Sequence, residues 1–215
     1  MYNDFHMEYY QSDYQTIAAT LAVDYCREGS LTMECDNGIC QVKKAGNISI
    51  DSRVHHKGLV RFPTKHFHGI TIGFESGLAE KTLKSEVAGI PINLNEIRNK
   101  FCGKGTLFLI NENENLKKIF TDLYHVPERA KQNYFRAKVL ELLVCLSAME
   151  IDNIESDKPY FYKDHIEKAG AVKKLMTDDL RENYTIDELQ RGSIFQRQHL
   201  RIVLRVCTEN RFTHI

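Results

Sequence analysis

Apolar and polar positions alternate in short runs along the first third of the chain, with turn residues between them. The runs Ala18 to Cys26, Ser30 to Cys35, Ile39 to Lys43 and Asn47 to Asp51 are each bounded by Gly, Asn or Asp, the pattern of short strands. Asp36-Asn37-Gly38 predicts a hairpin, because Asn-Gly accepts positive φ at low cost. From Gly69 to Glu75, Ile70, Ile72 and Phe74 alternate against Thr71 and Gly73, which predicts a further strand. Several antiparallel strands at this spacing predict a small barrel or sandwich.

The period then changes to that of helices. Asn93 to Phe101 reads as a short helix capped by Asn93. Glu114 to Tyr124 is amphipathic through Leu116, Ile119, Phe120 and Leu123, and Glu128 to Met149 is the longest and most apolar helix. In that helix Val139, Leu142, Leu143, Leu146 and Met149 form one stripe, which Leu140 and Val144 widen. So broad an apolar surface requires more than one neighbour. The β-domain supplies one; the other is either the same helix of a second protomer, making Val139, Leu142, Leu143 and Leu146 a dimer seam, or the rest of a monomer's core.

Ile151 to Lys158 is polar and acidic, and Pro159 follows, marking a domain boundary. Beyond it, Ile166, Ala169, Val172, Leu175, Met176 and Leu180 recur at helical spacing between Lys163 and Glu182. After a short link, Thr185 and Glu188 have capping-box spacing: the hydroxyl accepts a backbone N–H three residues on, and the carboxylate reaches back. A helix, a tight link and a capped second helix is how a helix-turn-helix opens, and equally how a plain helical hairpin does.

The stretch from Tyr162 through Lys173-Lys174-Leu175 to Asn183-Tyr184-Thr185-Ile186-Asp187-Glu188-Leu189 resembles the start of the DNA-binding domain of AraC-family transcription regulators. Gly29, Gly46 and the run from Arg61-Phe62-Pro63 to His68-Gly69-Ile70 are similar to the cupin-like barrel of that family. The resemblance implies an α+β chain in three parts. Residues 1–150 would be a cupin-like sensor and dimerisation domain, 151–162 a linker, and 163–215 a helix-turn-helix domain in which Thr185 and Glu188 mark the start of a DNA-binding unit. It further implies an unidentified small-molecule effector, a possible homodimer, and DNA as the partner of intact relatives.

The composition after Leu189 departs from that family. From Arg191 to Ile215 there are five arginines, one acid (Glu209) and no lysine, whereas all seventeen lysines lie at or before Lys174. Reading permitted codons from the third base of the Gly192 codon allows F-H-I-P-A-T-A-L-K-N-C-F-K-G-V-Y-G-K-S-I-Y-T-Y. That string resembles the family's recognition-helix segment, including its Leu-x-x-x-Phe and its Tyr-Gly turn. The expectation is that residues 192–215 are out of frame and the recognition helix is missing, the alternative being a divergent basic segment. DNA binding by this chain is then not expected.

The 215 residues, 42% of them hydrophobic with four prolines, suffice for one full domain and part of another. Net charge is zero, so no global field draws the chain to nucleic acid. Six cysteines show no C-x-x-C pair, which fits a reducing cytosol. The start of the chain is polar, without a leader's apolar stretch. The longest apolar run, Val139 to Met149, is too short to span a bilayer. A cytoplasmic protein without a membrane partner is expected.

Two groups carry candidate chemistry. His66-Phe67-His68 with Glu75 has the residue types of an imidazole–carboxylate metal site. Glu75 follows His68 by seven residues, however, so strict alternation puts it on the opposite face; the expectation is no metal and no cofactor, with histidines that are structural or touch a ligand. Tyr25, Arg61, His66 and His68 are the candidate ligand-binding residues, the alternative being a core Tyr25 and a surface Arg61. His55 and His56 are expected in a solvated loop. With no Ser-His-Asp set, phosphate-binding glycine loop or cysteine nucleophile with a base, an enzyme is not expected. The rival readings are a small cupin-like metalloenzyme and a protein-interaction module.

Overall fold

The computed structural model describes residues 1–16, 20–35, 39–54, 56–86, 89–90, 92–103, 107–111, 113–151, 160–162, 167–168, 171–172 and 174. Their strands are β1 (Tyr2–Phe5), β2 (Tyr9–Asp13), β3 (Thr20–Cys35), β4 (Ile39–Lys44), β5 (Ile48–Asp51), β6 (Lys57–Arg61), β7 (Phe67–Glu75), β8 (Phe108–Ile110) and β9 (Tyr160–Tyr162). Their helices are α1 (Ser76–Glu86), α2 (Leu94–Cys102), α3 (Glu114–Leu123) and α4 (Lys131–Ala148).

The chain is α+β, with every strand pairing antiparallel. The two runs expected at 18–26 and 30–35 are one strand, β3. Its first part pairs with β5 and β7, and from Ser30 it pairs with β4 and β6. The passage from one sheet to the other lies at a bulge between Cys26 and Glu28, beside Gly29 at φ +81°. A bulge bends a strand and raises its twist. A Cβ at Gly29 would lie 2.2 Å from the His66 carbonyl oxygen, so the close approach of β7 requires glycine there.

One sheet runs β1-β7-β3-β5-β8 and the other β2-β6-β3-β4-β9. They share β3 and, among the described residues, are not closed into a barrel, because β1, β2, β8 and β9 each pair on one side only. β4 follows β3 antiparallel with Cys35 opposite Ile39, so the two strands form a hairpin as expected, with the connecting residues 36–38 outside the described ones. The segment assigned from sequence to the linker ends in β9, which adds Tyr160 to Tyr162 to the edge of β4. An unpaired strand edge is a ready template for a short β-prone run.

Alternation along β3 divides its side chains between two cores. Leu21, Val23 and Tyr25 join Ile48, Ile50, Ile70 and Phe74 under the helices, packed against Leu94, Ile97, Phe101, Leu116, Ile119, Phe120 and Leu123. Leu142, Leu143 and Leu146 of α4 complete this core. The second core, between the sheets, contains Cys26, Met33, Val60, Phe62 and Phe67, with Phe5 and Leu31 against it. Asn93 caps α2 as expected, accepting from the Asn95 and Glu96 amides, and Asn113 caps α3. The expected helix from Glu128 begins as a 3₁₀ turn to Ala130 before α4 starts. Among the described residues no helix is long and apolar enough to cross a membrane.

Candidate functional site

A cavity of about 290 Å³ lies between the two sheets. Phe5, Tyr10, Leu31, Met33, Val60 and Phe67 make its apolar wall. The opposite wall is charged and comes from the inward positions of β3, β4 and β7 with the loop after β5. On it Asp24 is the hub. Its Oδ2 accepts from Lys43 Nζ at 2.7 Å and from Ser49 Oγ at 3.3 Å. Its Oδ1 accepts from Thr71 Oγ1 at 2.7 Å and from the Arg53 guanidinium.

Asp51 extends the cluster. Its Oδ2 lies 3.5 Å from Arg53 Nη1, 3.2 Å from His56 Nε2 and 3.8 Å from Lys43 Nζ. Burial alone would raise the Asp24 and Asp51 pKa values. The Lys43 and Arg53 charges outweigh that at Asp24, and the His56 contact with the same two cations does so at Asp51, so both carboxyls sit below the usual range. Arg53 is held at φ +59°, a left-handed conformation unfavourable for a side-chain-bearing residue. Its amide donates to Asp51 Oδ1 at 2.8 Å, an Asx turn that stabilises it. Strain of this kind collects where a side chain must be aimed.

One polar group on the cavity wall is left over. Gln41 lines the cavity and is buried, yet among the described residues its Oε1 accepts no hydrogen bond. A buried acceptor without a donor is costly, and a ligand N–H or O–H would satisfy it. Gly73, also on the wall, has no atom within 4 Å of an added Cβ.

The four ligand-binding candidates from sequence do not line this cavity. Tyr25 faces the helices and stacks on Phe120 at 5.2 Å between centroids, because alternation gives the inward position to its neighbour Asp24. Arg61 is exposed on β6, 3.7 Å from Glu34. His66 precedes β7 and its Nδ1 lies 3.0 Å from the Thr64 carbonyl oxygen. His68 is on the outer face of β7, against Asp4 and His6. His56, expected in solvent, is instead three-quarters or more covered and tied to Asp51 and Arg53. His55, Thr185 and Glu188 lie outside the described residues.

The α4 stripe is placed with equal clarity. Leu142, Leu143 and Leu146 have no exposure within a single chain, and Val139 is packed against the same core. The core consumes the surface a seam through these residues would need. Among the large apolar side chains of α4, Val144 is the exposed one, at 40% exposure.

No protein-family model matches the chain and no curated protein matches it. Among solved structures it is similar to ToxT from Vibrio cholerae strain SCE256 with bound unsaturated fatty acid. The identity is 14%, coverage is 99% of this chain and 74% of that one, and the TM-score is 0.46. ToxT from Vibrio cholerae O395 bound to (E)-4-(8-methylnaphthalen-1-yl)but-3-enoic acid is similar at 15% identity, with 99% and 77% covered and a TM-score of 0.44. The AraC-like transcriptional activator CuxR is similar at 11% identity, with 87% and 61% covered and a TM-score of 0.31.

Proposed function

We propose that this chain is the sensor portion of a ligand-responsive regulator of the AraC type, with the cavity between the sheets as its effector site. The observation that carries the effector site is the cavity with one apolar wall, one charged wall and the unsatisfied Gln41 Oε1. An effector that fits has an apolar body and at least one hydrogen-bond donor. The regulator reading rests on the residue pattern from Tyr162 to Leu189. The proposal retains the out-of-frame reading of residues 192–215, under which the chain makes no base-specific contacts of its own.

The test is direct. Purified chain is denatured and the released small molecules are identified by mass spectrometry, alongside the Gly73→Leu variant. Leucine at 73 extends into the open space of the cavity and replaces a glycine, a residue disfavoured in strands. The variant is expected to fold and to carry no such compound. Equal amounts of one compound from both proteins would remove the cavity as the effector site.

A further inference from the structure

We propose that Asp4, His6 and His68 form a surface site for a divalent transition-metal ion of the zinc class, distinct from the cavity. β1 and β7 pair antiparallel with Asp4 directly opposite His68. Alternation then sends Asp4, His6 and His68 to the outer face, while Asn3 and Phe5 turn inward and line the cavity.

The donor atoms converge on one point. Asp4 Oδ1 lies 2.9 Å from His6 Nε2 and 2.9 Å from His68 Nε2, and the two Nε2 atoms are 3.3 Å apart. Two imidazole nitrogens each about 2.0–2.1 Å from one zinc ion, at a tetrahedral angle, stand about 3.3 Å apart. The edge between the two imidazole nitrogens matches such a coordination shell, and the two Asp4 edges, at 2.9 Å, are somewhat shorter. Two imidazoles and a carboxylate suit zinc, nickel or copper, and three protein ligands leave a position for water.

The outer side of His68 supports the same assignment. Its Nδ1 lies 3.6 Å from Glu28 Oε2. That separation is beyond hydrogen-bond distance, but a small rotation on metal binding would let the carboxylate accept from Nδ1–H and fix the tautomer that presents Nε2. Glu28 thus acts as a positioning residue rather than a ligand. Both rings are accessible, with side-chain exposure of 67% for His6 and 32% for His68. Bound metal would clamp β1 onto β7, and β1 carries part of the cavity wall, so the ion would steady that wall.

Glu75, the carboxylate that spacing along β7 offers, pairs with Thr20 at the far end of the strand. The ligands that complete the site come from β1 and the residue after it, which only strand pairing brings alongside.

The experiment is calorimetric titration of the full chain with Zn²⁺, together with the visible spectrum of the Co²⁺ form. One site is expected to be lost, with at least a tenfold fall in affinity, in His6→Ala and in His68→Ala. His125→Ala should leave it unchanged. Glu28→Gln should keep the stoichiometry and weaken binding by about tenfold, as orienting partners do. Circular dichroism checks that each variant folds. Absence of Zn²⁺ binding by the wild type, or wild-type affinity in both His6→Ala and His68→Ala, would overturn the proposal. Neither result depends on an effector occupying the cavity.

Discussion

Lys43 Nζ and Asp24 Oδ2 meet at 2.7 Å with side-chain exposures of only 7% and 9%. Two charges so thoroughly removed from water hold each other in place without adding much net stability, since desolvation offsets most of their attraction. Removing one partner is a different matter. Lys43→Met should destabilise the domain by about 3–5 kcal/mol, because it withdraws a cation from a buried carboxylate. Adding Asp24→Asn should recover part of that loss. Chemical denaturation of the two single variants and the double variant measures the coupling.

The same cluster sets the response to acid. Asp24 and Asp51 titrate below their ordinary range in the folded chain, against about 3.9 when unfolded. The folded state therefore binds fewer protons than the unfolded state in acid. Their contribution is fully present above the unfolded value and is lost as pH falls from about 4 toward the folded values. Urea midpoints measured from pH 7 to pH 2.5 should fall below about pH 4. The fall should be shallower in Asp24→Asn.

Gly29 and Gly46 both have positive φ, +81° and +87°, but their surroundings differ. Gly29→Ala adds a collision with the His66 carbonyl to the backbone strain, whereas nothing lies within 4 Å of a Cβ at Gly46. Gly46→Ala should cost about 1 kcal/mol, and Gly29→Ala clearly more. Equal thermal midpoints for the two variants would contradict the tight passage between β3 and β7.

Leu143 and Val144 are neighbours on α4 with opposite surroundings, one without exposure and the other at 40%. Leu143→Ala should cost about 2–5 kcal/mol, as other buried leucines do, without changing the mass in solution. Leu143→Asp should unfold the chain. Val144→Asp should fold normally, so any fall in its sedimentation mass would locate a self-association face on the outer side of α4.

Cys102 and Cys145 separate by burial as well. Burial, reinforced by the nearby Asp51 charge, pushes the Cys102 thiol up to about 12. Only the thiolate attacks electrophiles, so Cys102 should resist alkylation at pH 8 until the domain unfolds. Peptide mapping after brief iodoacetamide treatment would show this; rapid labelling of Cys102 under native conditions would mean the core under α2 is open.

What could be read from the chain by itself was local. Period-two runs located β3, β4, β5 and β7, and period-3.6 runs located α2, α3 and α4, because burial on one face writes its spacing directly into the sequence. Asn93 announced its helix cap for the same local reason. β1, β2, β6 and α1 left no such trace: Tyr2–Phe5 and Tyr9–Asp13 are mostly polar and are strands through their pairing with β7 and β6.

The candidate sites belong to the tertiary structure. Asp24, Lys43 and Arg53 are ordinary charged residues in sequence, 19 and 29 positions apart from the hub. They become a buried cluster only when β3 pairs with β5 and turns at Gly29 into the second sheet. His68 likewise meets Asp4 and His6 across 60 or more residues through the register of β1 on β7. Local spacing can say which face a residue takes. Which distant residue shares that face is decided by strand pairing and register, and these are set by the packing of the whole domain.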